Sequence, residues 1–247
     1  MKTEMKAGFL SLVVMAFLIF GIGVVIAEPA GVNIISEGSP EFRALPPALT
    51  LDASAGNITE VNLTAVSITR TWQGYYGRVS GAVVLADASN NTMYNWTFTT
   101  VAGEVFASNT SVSDWSSVSC VNSSTALSTS NIDSWLNVGP GDADSVGNTF
   151  SGVYSDAQGF YVGSVQINSS DMCSVAYTFV NGTAQSSSFA QVILTTGSNV
   201  IWTGLLENGV DGFKYGSEKY DFQLLVGEDG HNGDSNPTTY YFYVELG

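Results

Sequence analysis

The sequence predicts an all-β fold: an antiparallel β-sandwich of about ten to twelve strands that follows an N-terminal hydrophobic helix. Three observations support this prediction. Apolar and polar side chains alternate over much of the 247-residue chain. Clusters of glycine, asparagine, aspartate and serine interrupt the alternation roughly every 8 to 15 residues, a spacing typical of antiparallel β-proteins. Helical periodicity is confined to two short stretches, residues 111–118 and 130–136.

Residues 1–27 form the first element of the chain. Lys2 and Lys6 precede an uncharged apolar stretch that ends just before Glu28, and a run of about 20 such residues is long enough to span a bilayer. The small residues before Glu28 fit a signal-peptide cleavage site. Three alternatives stay open: a cleaved signal peptide, an uncleaved membrane anchor, or a helix that is retained in a filament.

Residues 28–48 are predicted to be an extended linker, because they hold four of the six prolines. The pattern becomes strand-like at residue 49, so the β-sandwich domain is predicted to cover residues 49–247. Within it, Tyr94 and Trp96 should face the core while Asn95 faces solvent. Two continuous apolar runs, at residues 82–86 and 191–194, predict strands that are buried on both faces.

The two cysteines, Cys120 and Cys173, predict one disulfide, since an exported chain with a single pair can connect it in only one way. The bond would enclose residues 120–173, which are rich in serine, asparagine and aspartate. We predict that this stretch is an excursion pinned to the sandwich by the disulfide.

Eight N-glycosylation sequons follow the hydrophobic segment, about twice the number that chance gives at this composition. Glycosylation requires that the chain be exported and that the asparagine lie on the surface. We therefore predict an N-glycosylated protein that is extracellular or located at the cell surface. The predicted glycosylation sites are Asn57, Asn62, Asn90, Asn95, Asn109, Asn122, Asn168 and Asn181.

The charge and the polar residues argue against several functions. The chain has 22 acidic and 7 basic residues, and nucleic-acid binding requires clustered lysine and arginine. The single histidine, His231, cannot form a multi-histidine zinc site, and no G-x-S-x-G motif accompanies it. No spacing singles out a glycosidase-like pair of carboxylates. We predict a protein that is not an enzyme and does not bind nucleic acid.

Two acidic, glycine-rich turns are candidate calcium sites. Asp142 and Asp144 lie in the first turn, and Asp229 and Asp234 lie in the second. Carboxylate oxygens on loops are suitable ligands for Ca²⁺ in an extracellular protein. Aspartate is also common in turns without a cation, because its side chain hydrogen-bonds to the turn backbone. Both interpretations stay open.

The segment T-W-Q-G-Y-Y-G-R-V-S-G at residues 71–81 resembles a motif of archaeal secreted and cell-surface β-rich glycoproteins. The strands at residues 83–87 and 94–98 and the G-E-V-F-A-S step at residues 103–108 extend this resemblance. The residues Lys6-Ala7-Gly8, before the apolar run, are more weakly similar to an archaeal pilin-like processing site. The resemblance implies an archaeal cell surface or an extracellular filament, and it implies no activity.

Trp72, Tyr75 and Tyr76 are the aromatic residues of this motif. Large rings beside glycines in a strand are typical of packing surfaces, and the alternative is an exposed aromatic surface that binds sugar rings.

These observations predict a non-enzymatic structural protein of the cell surface, as a pilin-like or filament subunit. It would associate with itself or with other cell-surface proteins, and with the membrane if the N-terminal helix is uncleaved. The alternative is an adhesin or carbohydrate-binding module that uses calcium.

Overall fold

The computed structural model describes residues 28–122, 127–197, 199–216 and 218–247. The hydrophobic segment 1–27, with its three alternatives, lies outside the described residues. The all-β prediction is confirmed, because the described chain consists mainly of antiparallel strands with few helices. None of the described helices is long and apolar enough to cross a membrane.

Sixteen strands and two α-helices are found in the described part of the chain. This exceeds the predicted ten to twelve strands because seven strands have only two or three residues. The strands are β1 (Ala30–Gly31), β2 (Trp72–Gly77), β3 (Ala82–Ala86), β4 (Thr92–Thr97), β5 (Gly103–Ser108), β6 (Ser119–Cys120), β7 (Gly152–Val153), β8 (Phe160–Val162), β9 (Val165–Ile167), β10 (Ser174–Tyr177), β11 (Ala190–Thr195), β12 (Val200–Leu205), β13 (Val210–Asp211), β14 (Lys219–Tyr220), β15 (Phe222–Gly227) and β16 (Tyr241–Leu246). The helices are α1 (Thr129–Trp135) and α2 (Val146–Thr149).

The largest sheet has eight strands. Seven of them follow the order β1-β16-β5-β12-β11-β10-β7, and β6 pairs separately with β11. Every pairing is antiparallel. Four further strand pairs form two-stranded sheets, namely β2–β15, β3–β4, β8–β9 and β13–β14.

The large sheet is buried on both of its faces, because successive side chains along a strand point in opposite directions. Phe106 packs in one apolar cluster with Val112, Trp115 and the residues of β8 and β9. Its neighbours in β5, Val105 and Ala107, pack on the other face with α1, α2 and part of β15. The prediction that the run at residues 191–194 is buried on both faces is confirmed.

The predicted disulfide between Cys120 and Cys173 is present. Both cysteines are buried in the first apolar cluster, and the bond links β6 to the residue before β10. The stretch between them contains α1, α2 and β7 to β9. A disulfide of this kind is typical of an oxidising, extracellular compartment.

One of the two predicted helical stretches is present. Helix α1 lies within one residue of the predicted stretch 130–136. Residues 111–118, in contrast, form a loop with a turn. The Asp114 carboxylate accepts hydrogen bonds from the Ser116 backbone N–H at 2.9 Å and from the Ser116 hydroxyl. Such local bonds offer the backbone an alternative to helix.

Two buried carboxyl groups lie opposite each other in the large sheet. Glu104 of β5 is paired with Glu245 of β16, and both are buried. The Gly163 backbone N–H donates to Glu245 Oε2 at 2.9 Å. Burial, reinforced by the neighbouring Glu245, raises the pKa of Glu104 to about 8. This pair therefore favours a protonated carboxyl within the fold.

The predicted linker, residues 28–48, contains no helix, but its residues 30–31 join the large sheet as β1. Residues 32–71 contain no helix or strand, although their sequence from residue 49 onward is strand-like. The prediction that the run at residues 82–86 is buried is wrong, since every residue of β3 is exposed. Both differences lie in the amino-terminal part of the chain.

Candidate functional site

Exposed apolar side chains are concentrated in two segments, residues 32–68 and residues 82–97, which we call the outer region. It holds eighteen of the twenty-eight exposed large hydrophobic side chains among the described residues. Every buried hydrophobic side chain of the core lies instead between Val105 and Val226. Extensive exposed apolar surface is typical of interaction sites, so the outer region is the candidate functional site.

The β3–β4 hairpin forms one half of the outer region. Its two strands are exposed at every position. Val83 lies opposite Trp96, and Leu85 lies opposite Tyr94. Because alternate residues share a face, these four side chains form one apolar face of the hairpin, which we call the hairpin face. Each of the four is at least half exposed.

The rings of Tyr94 and Trp96 are adjacent on the hairpin face. Their centroids are 4.9 Å apart, and their planes are inclined by 55°. The prediction that these two aromatics face the core is therefore wrong. Alternation identified the shared face correctly, but the described residues place no core layer over it.

The glycosylation sequons of the hairpin avoid the hairpin face. Asn95 lies between Tyr94 and Trp96 in the strand and points to the opposite face, where it is paired with Val84. Asn90 lies in the turn that joins the strands, with a φ of 63°. Its backbone N–H donates to the Asp87 carbonyl at 3.0 Å. Glycans at both asparagines would leave the hairpin face uncovered.

The segment 49–68, which has no helix or strand and contains a turn at residues 54–57, forms another part of the candidate site. Its apolar side chains are widely exposed, for example 88% for Leu63. Val61 and Leu63 alternate with the sequon residue Asn62, and Val66 and Ile68 alternate with Ser67. Each of these two short stretches has the period-two pattern of a β-strand, but the stretches are out of phase with each other. The segment belongs to no sheet among the described residues.

The body of the protein, residues 103–247, holds this segment at its carboxyl end. The Thr69 hydroxyl donates to the Asp144 carboxylate at 2.6 Å, and the Thr71 hydroxyl donates to the same oxygen at 3.2 Å. The Trp72 indole N–H donates to the Asp144 carbonyl at 2.7 Å. The hydrogen bond from Thr69, more than that from Thr71, lowers the pKa of Asp144. Asp144 therefore fixes the point at which the chain enters β2.

The four aspartates that were predicted to bind calcium have different hydrogen-bond partners. Asp142 Oδ2 accepts from the Gly139 backbone N–H at 2.9 Å, and Asp144 is the anchor described above. In the second turn, Asp234 Oδ1 accepts from the Asn236 backbone N–H at 2.9 Å. Asp229 Oδ1 is buried without a hydrogen-bond partner among the described residues.

No group of three or more histidine, cysteine, aspartate or glutamate residues is placed to hold a metal ion within the described ranges. The hydrogen bonds of Asp142, Asp144 and Asp234 favour the interpretation of these turns as aspartate-stabilised turns. Calcium binding stays a prediction.

The three aromatics of the motif are not aligned in one row. Trp72 packs edge-on against Trp202 at 5.3 Å. Tyr75 packs against Phe242 at 5.1 Å, and Tyr76 packs against Phe213 at 4.9 Å. Adjacent residues of a strand point to opposite faces, so Tyr75 and Tyr76 cannot form one flat surface. Packing is the role that these contacts favour.

The eight sequon asparagines differ in exposure. Five are exposed and three are half-buried. Of the half-buried ones, Asn122 Nδ2 donates to the Asp171 carbonyl at 3.0 Å, and Asn181 Nδ2 donates to Asp211 Oδ2 at 3.3 Å. Asn168 Oδ1 accepts from the Ser170 N–H at 2.9 Å. The exposed five are Asn57, Asn62, Asn90, Asn95 and Asn109, and four of these lie in the outer region.

A small open groove of about 260 Å³ lies next to Tyr75. Its lining includes Gln73, Glu228, Asp234 and Tyr240. The Tyr240 hydroxyl donates to the Gly227 carbonyl. The groove places aromatic rings beside polar groups, but it is smaller than the usual ligand pocket of about 300–1,000 Å³.

Comparison of the chain with models of known protein families, with curated proteins and with solved structures finds no match.

Proposed function

We propose that the protein is an exported, N-glycosylated structural protein of the cell surface that associates with other copies of itself through the outer region. The hairpin face is the observation that carries the proposal. It presents Val83, Leu85, Tyr94 and Trp96 to solvent, while the sequon at Asn95 is directed away from it. Burying these side chains against another copy removes their apolar surface from water.

The disulfide and the sequons support the location of the protein. A buried disulfide fits an oxidising compartment, and five exposed sequon asparagines fit glycosylation after export. An archaeal origin and a filament assembly are further parts of the proposal, and they rest on the resemblance of residues 71–81. The pilin-like form of that assembly rests on the weaker resemblance of Lys6-Ala7-Gly8. A sandwich-like packing is supported by β2–β15, which lies against the large sheet through contacts such as Trp72 with Trp202.

The proposal excludes catalysis as the main role. Self-association needs only the outer region, and the single histidine, His231, has a buried Nδ1 without a hydrogen-bond partner among the described residues. Purified protein should accordingly hydrolyse no polysaccharide or peptide substrate. Turnover that is lost on replacing one carboxylate would contradict this part of the proposal.

The test of self-association is sedimentation velocity of the glycosylated full chain over a range of concentrations. We expect multimers, and we expect Trp96→Ser to shift the population towards monomers. Trp135→Ser is a matched control, because Trp135 is 53% exposed and Trp96 is 51% exposed, but Trp135 lies outside the outer region. A strictly monomeric wild-type chain, or equal effects of the two substitutions, would argue against the proposal.

A carbohydrate-binding role is a second candidate, favoured by the groove beside Tyr75. A sugar ring could stack on Tyr75 while Glu228 and Asp234 accept hydrogen bonds from its hydroxyls. Glycan-array binding, with and without Ca²⁺, tests this role. Binding that is lost in Tyr75→Ala and kept in Trp96→Ser would favour the groove over the outer region.

A further inference from the structure

We propose that residues 61–68 of one copy form a β-strand along an open edge of the β3–β4 hairpin of a second copy. This inference rests on the proposed self-association and names the segments that carry it. Addition of an extended segment to an exposed sheet edge is a common mode of protein recognition, in which backbone hydrogen bonds give affinity and alternate side chains give specificity.

The donor segment has the properties of a strand that lacks a partner. The apolar residues of this segment form two short alternating stretches, residues 61–63 and 66–68, which are out of phase with each other, so a strand here would carry apolar side chains on both faces. The segment contains no charged residue, glycine or proline. Their apolar side chains are exposed to different extents, from 38% for Ile68 to 88% for Leu63. Eight residues are more than enough to pair with β3 or β4, which have five and six residues. The segment is thus long enough to pair, and pairing would bury apolar side chains that are now exposed.

The acceptor is a hairpin that lacks a third strand. Neither β3 nor β4 pairs with another strand of the described chain. An isolated two-stranded hairpin is only marginally stable in water, and three strands with an apolar face are needed for stability. Gly81 lies against Leu246, so the hairpin is attached to the large sheet at its base. A donated strand would supply the missing partner.

The positions of the sequons favour the same pairing. Asn62 alternates with Val61 and Leu63 in the donor, and Asn95 alternates with Tyr94 and Trp96 in the acceptor. In a strand, each asparagine points away from its apolar neighbours. A glycan at Asn95 would therefore leave the face of Tyr94 and Trp96 free to pack, and a glycan at Asn62 would leave the face of Val61 and Leu63 free.

The positions of donor and acceptor in the chain indicate a second copy as the partner. The donor enters β2 at Trp72, where Asp144 holds it. The hairpin follows β2 after Gly77. The six residues of β2 separate these two points by roughly 20 Å. An interface between different surfaces of successive copies is heterologous, and such an interface generates rings or open filaments.

Hydrogen–deuterium exchange of the full chain, measured by mass spectrometry, tests the inference independently of the register. We expect the backbone amides of residues 61–68 to exchange fast in dilute monomers and slowly in multimers. Val66→Pro and Ser67→Pro are made separately, because successive N–H groups point to opposite edges and one of the two must be paired. At least one of the two variants should no longer form multimers, while its thermal unfolding midpoint remains equal to that of the wild type.

Ala44→Pro is the matched control, since residue 44 lies in the exposed linker beside two prolines, and it should assemble normally. To identify the copies, Leu63→Cys protein is mixed with Val83→Cys, Leu85→Cys, Tyr94→Cys or Trp96→Cys protein. A disulfide between the two variants can form only between copies. The Tyr161→Cys variant, whose exposed residue lies in the body, should give no such bond.

The outcomes separate the two proposals. Multimers in which residues 61–68 still exchange fast would overturn strand donation and leave self-association standing. Slow exchange of residues 61–68 in monomers would mean that the segment pairs within its own chain, and it would overturn the second copy as partner. The absence of wild-type multimers at every concentration would overturn both proposals.

Discussion

The outer region and the body use apolar residues in opposite ways. The body, residues 103–247, encloses its hydrophobic side chains on both faces of one sheet. The outer region contains a similar run of valine, leucine, isoleucine and aromatic residues, and it leaves them in contact with water. The difference shows that a strand-like pattern predicts an apolar surface suited to burial. The segment that buries this surface can belong to the same chain, as in the body, or to another molecule.

Two phenylalanines give the largest expected contrast between the regions. Phe106 is fully buried in the body, whereas Phe42 is 85% exposed in the outer region. We expect Phe106→Ala to lower the free energy of unfolding by about 3–5 kcal/mol, through lost burial and the cavity it leaves. Phe42→Ala should change it by less than about 0.5 kcal/mol. Urea unfolding of dilute protein measures both values, and similar losses would contradict the division into two regions.

The disulfide should stabilise the body alone. Its two cysteines are separated by 53 positions, and closing a loop of this size is worth about 4 kcal/mol in the chain-entropy model. We expect the double variant Cys120→Ser with Cys173→Ser to lose stability of this order in urea. Exchange in residues 32–68 of the monomer should stay as fast as in the wild type, because no paired strand there depends on the body. Slowed or accelerated exchange in that segment would show a coupling between the regions.

The buried Glu104 predicts a pH dependence of the body. Burial, with Glu245 opposite, raises the pKa of Glu104 from 4.5 in the unfolded chain to about 8 in the fold. Below pH 4.5 the carboxyl is protonated in both states and its stability contribution is complete. Between pH 4.5 and 8 only the unfolded chain releases the proton, so stability falls, by up to about 5 kcal/mol. Above pH 8 this group adds no further change.

The measurement is the free energy of unfolding at several pH values. We expect Glu104→Gln to flatten the decline, because glutamine is neutral at every pH. Glu60→Gln, in the exposed segment, is the matched control and should leave the decline in place. If the decline in stability persists unchanged in Glu104→Gln, other titratable groups cause it.

The sequence predicted the strands better than it predicted their surroundings. The alternation at Tyr94 and Trp96 correctly placed both rings on one face, since the period of a strand is fixed by its backbone. Whether that face is covered depends on which segments fold over it, and that is not a local property of the sequence. The same reason applies to residues 61–68, which contain two short strand-like stretches but pair with no strand among the described residues.

Local hydrogen bonding explains another difference. Val112, Trp115 and Val118 are buried at a spacing of three, which is close to that of a helix, but the Asp114 side chain bonds to Ser116 and favours a turn. The role of Asp144 was also not predictable. Its partners Thr69 and Thr71 lie more than 70 positions earlier in the chain, and nothing in the sequence connects an acidic turn with them.

Asp144 gives the smallest expected effect and the sharpest test of the boundary between the two regions. Its carboxylate accepts hydrogen bonds from Thr69 and Thr71, and bonds of this kind to a charged group are worth about 1.5–3 kcal/mol when buried. Asp144 is partly exposed, so we expect Asp144→Asn to cost only about 1 kcal/mol. The pKa of Asp144 is lowered in the fold, so its contribution is present above the unfolded pKa and is lost on acidification.

The exchange of backbone amides shows where the loss occurs. In Asp144→Asn we expect faster exchange at residues 69–72 and unchanged exchange in the large sheet, because the anchor is released while the core stays closed. Asp142→Asn is the control, since the Asp142 carboxylate bonds locally to Gly139 and should leave residues 69–72 as they are. Faster exchange throughout β5 and β12 in Asp144→Asn would mean that the two regions share one cooperative core.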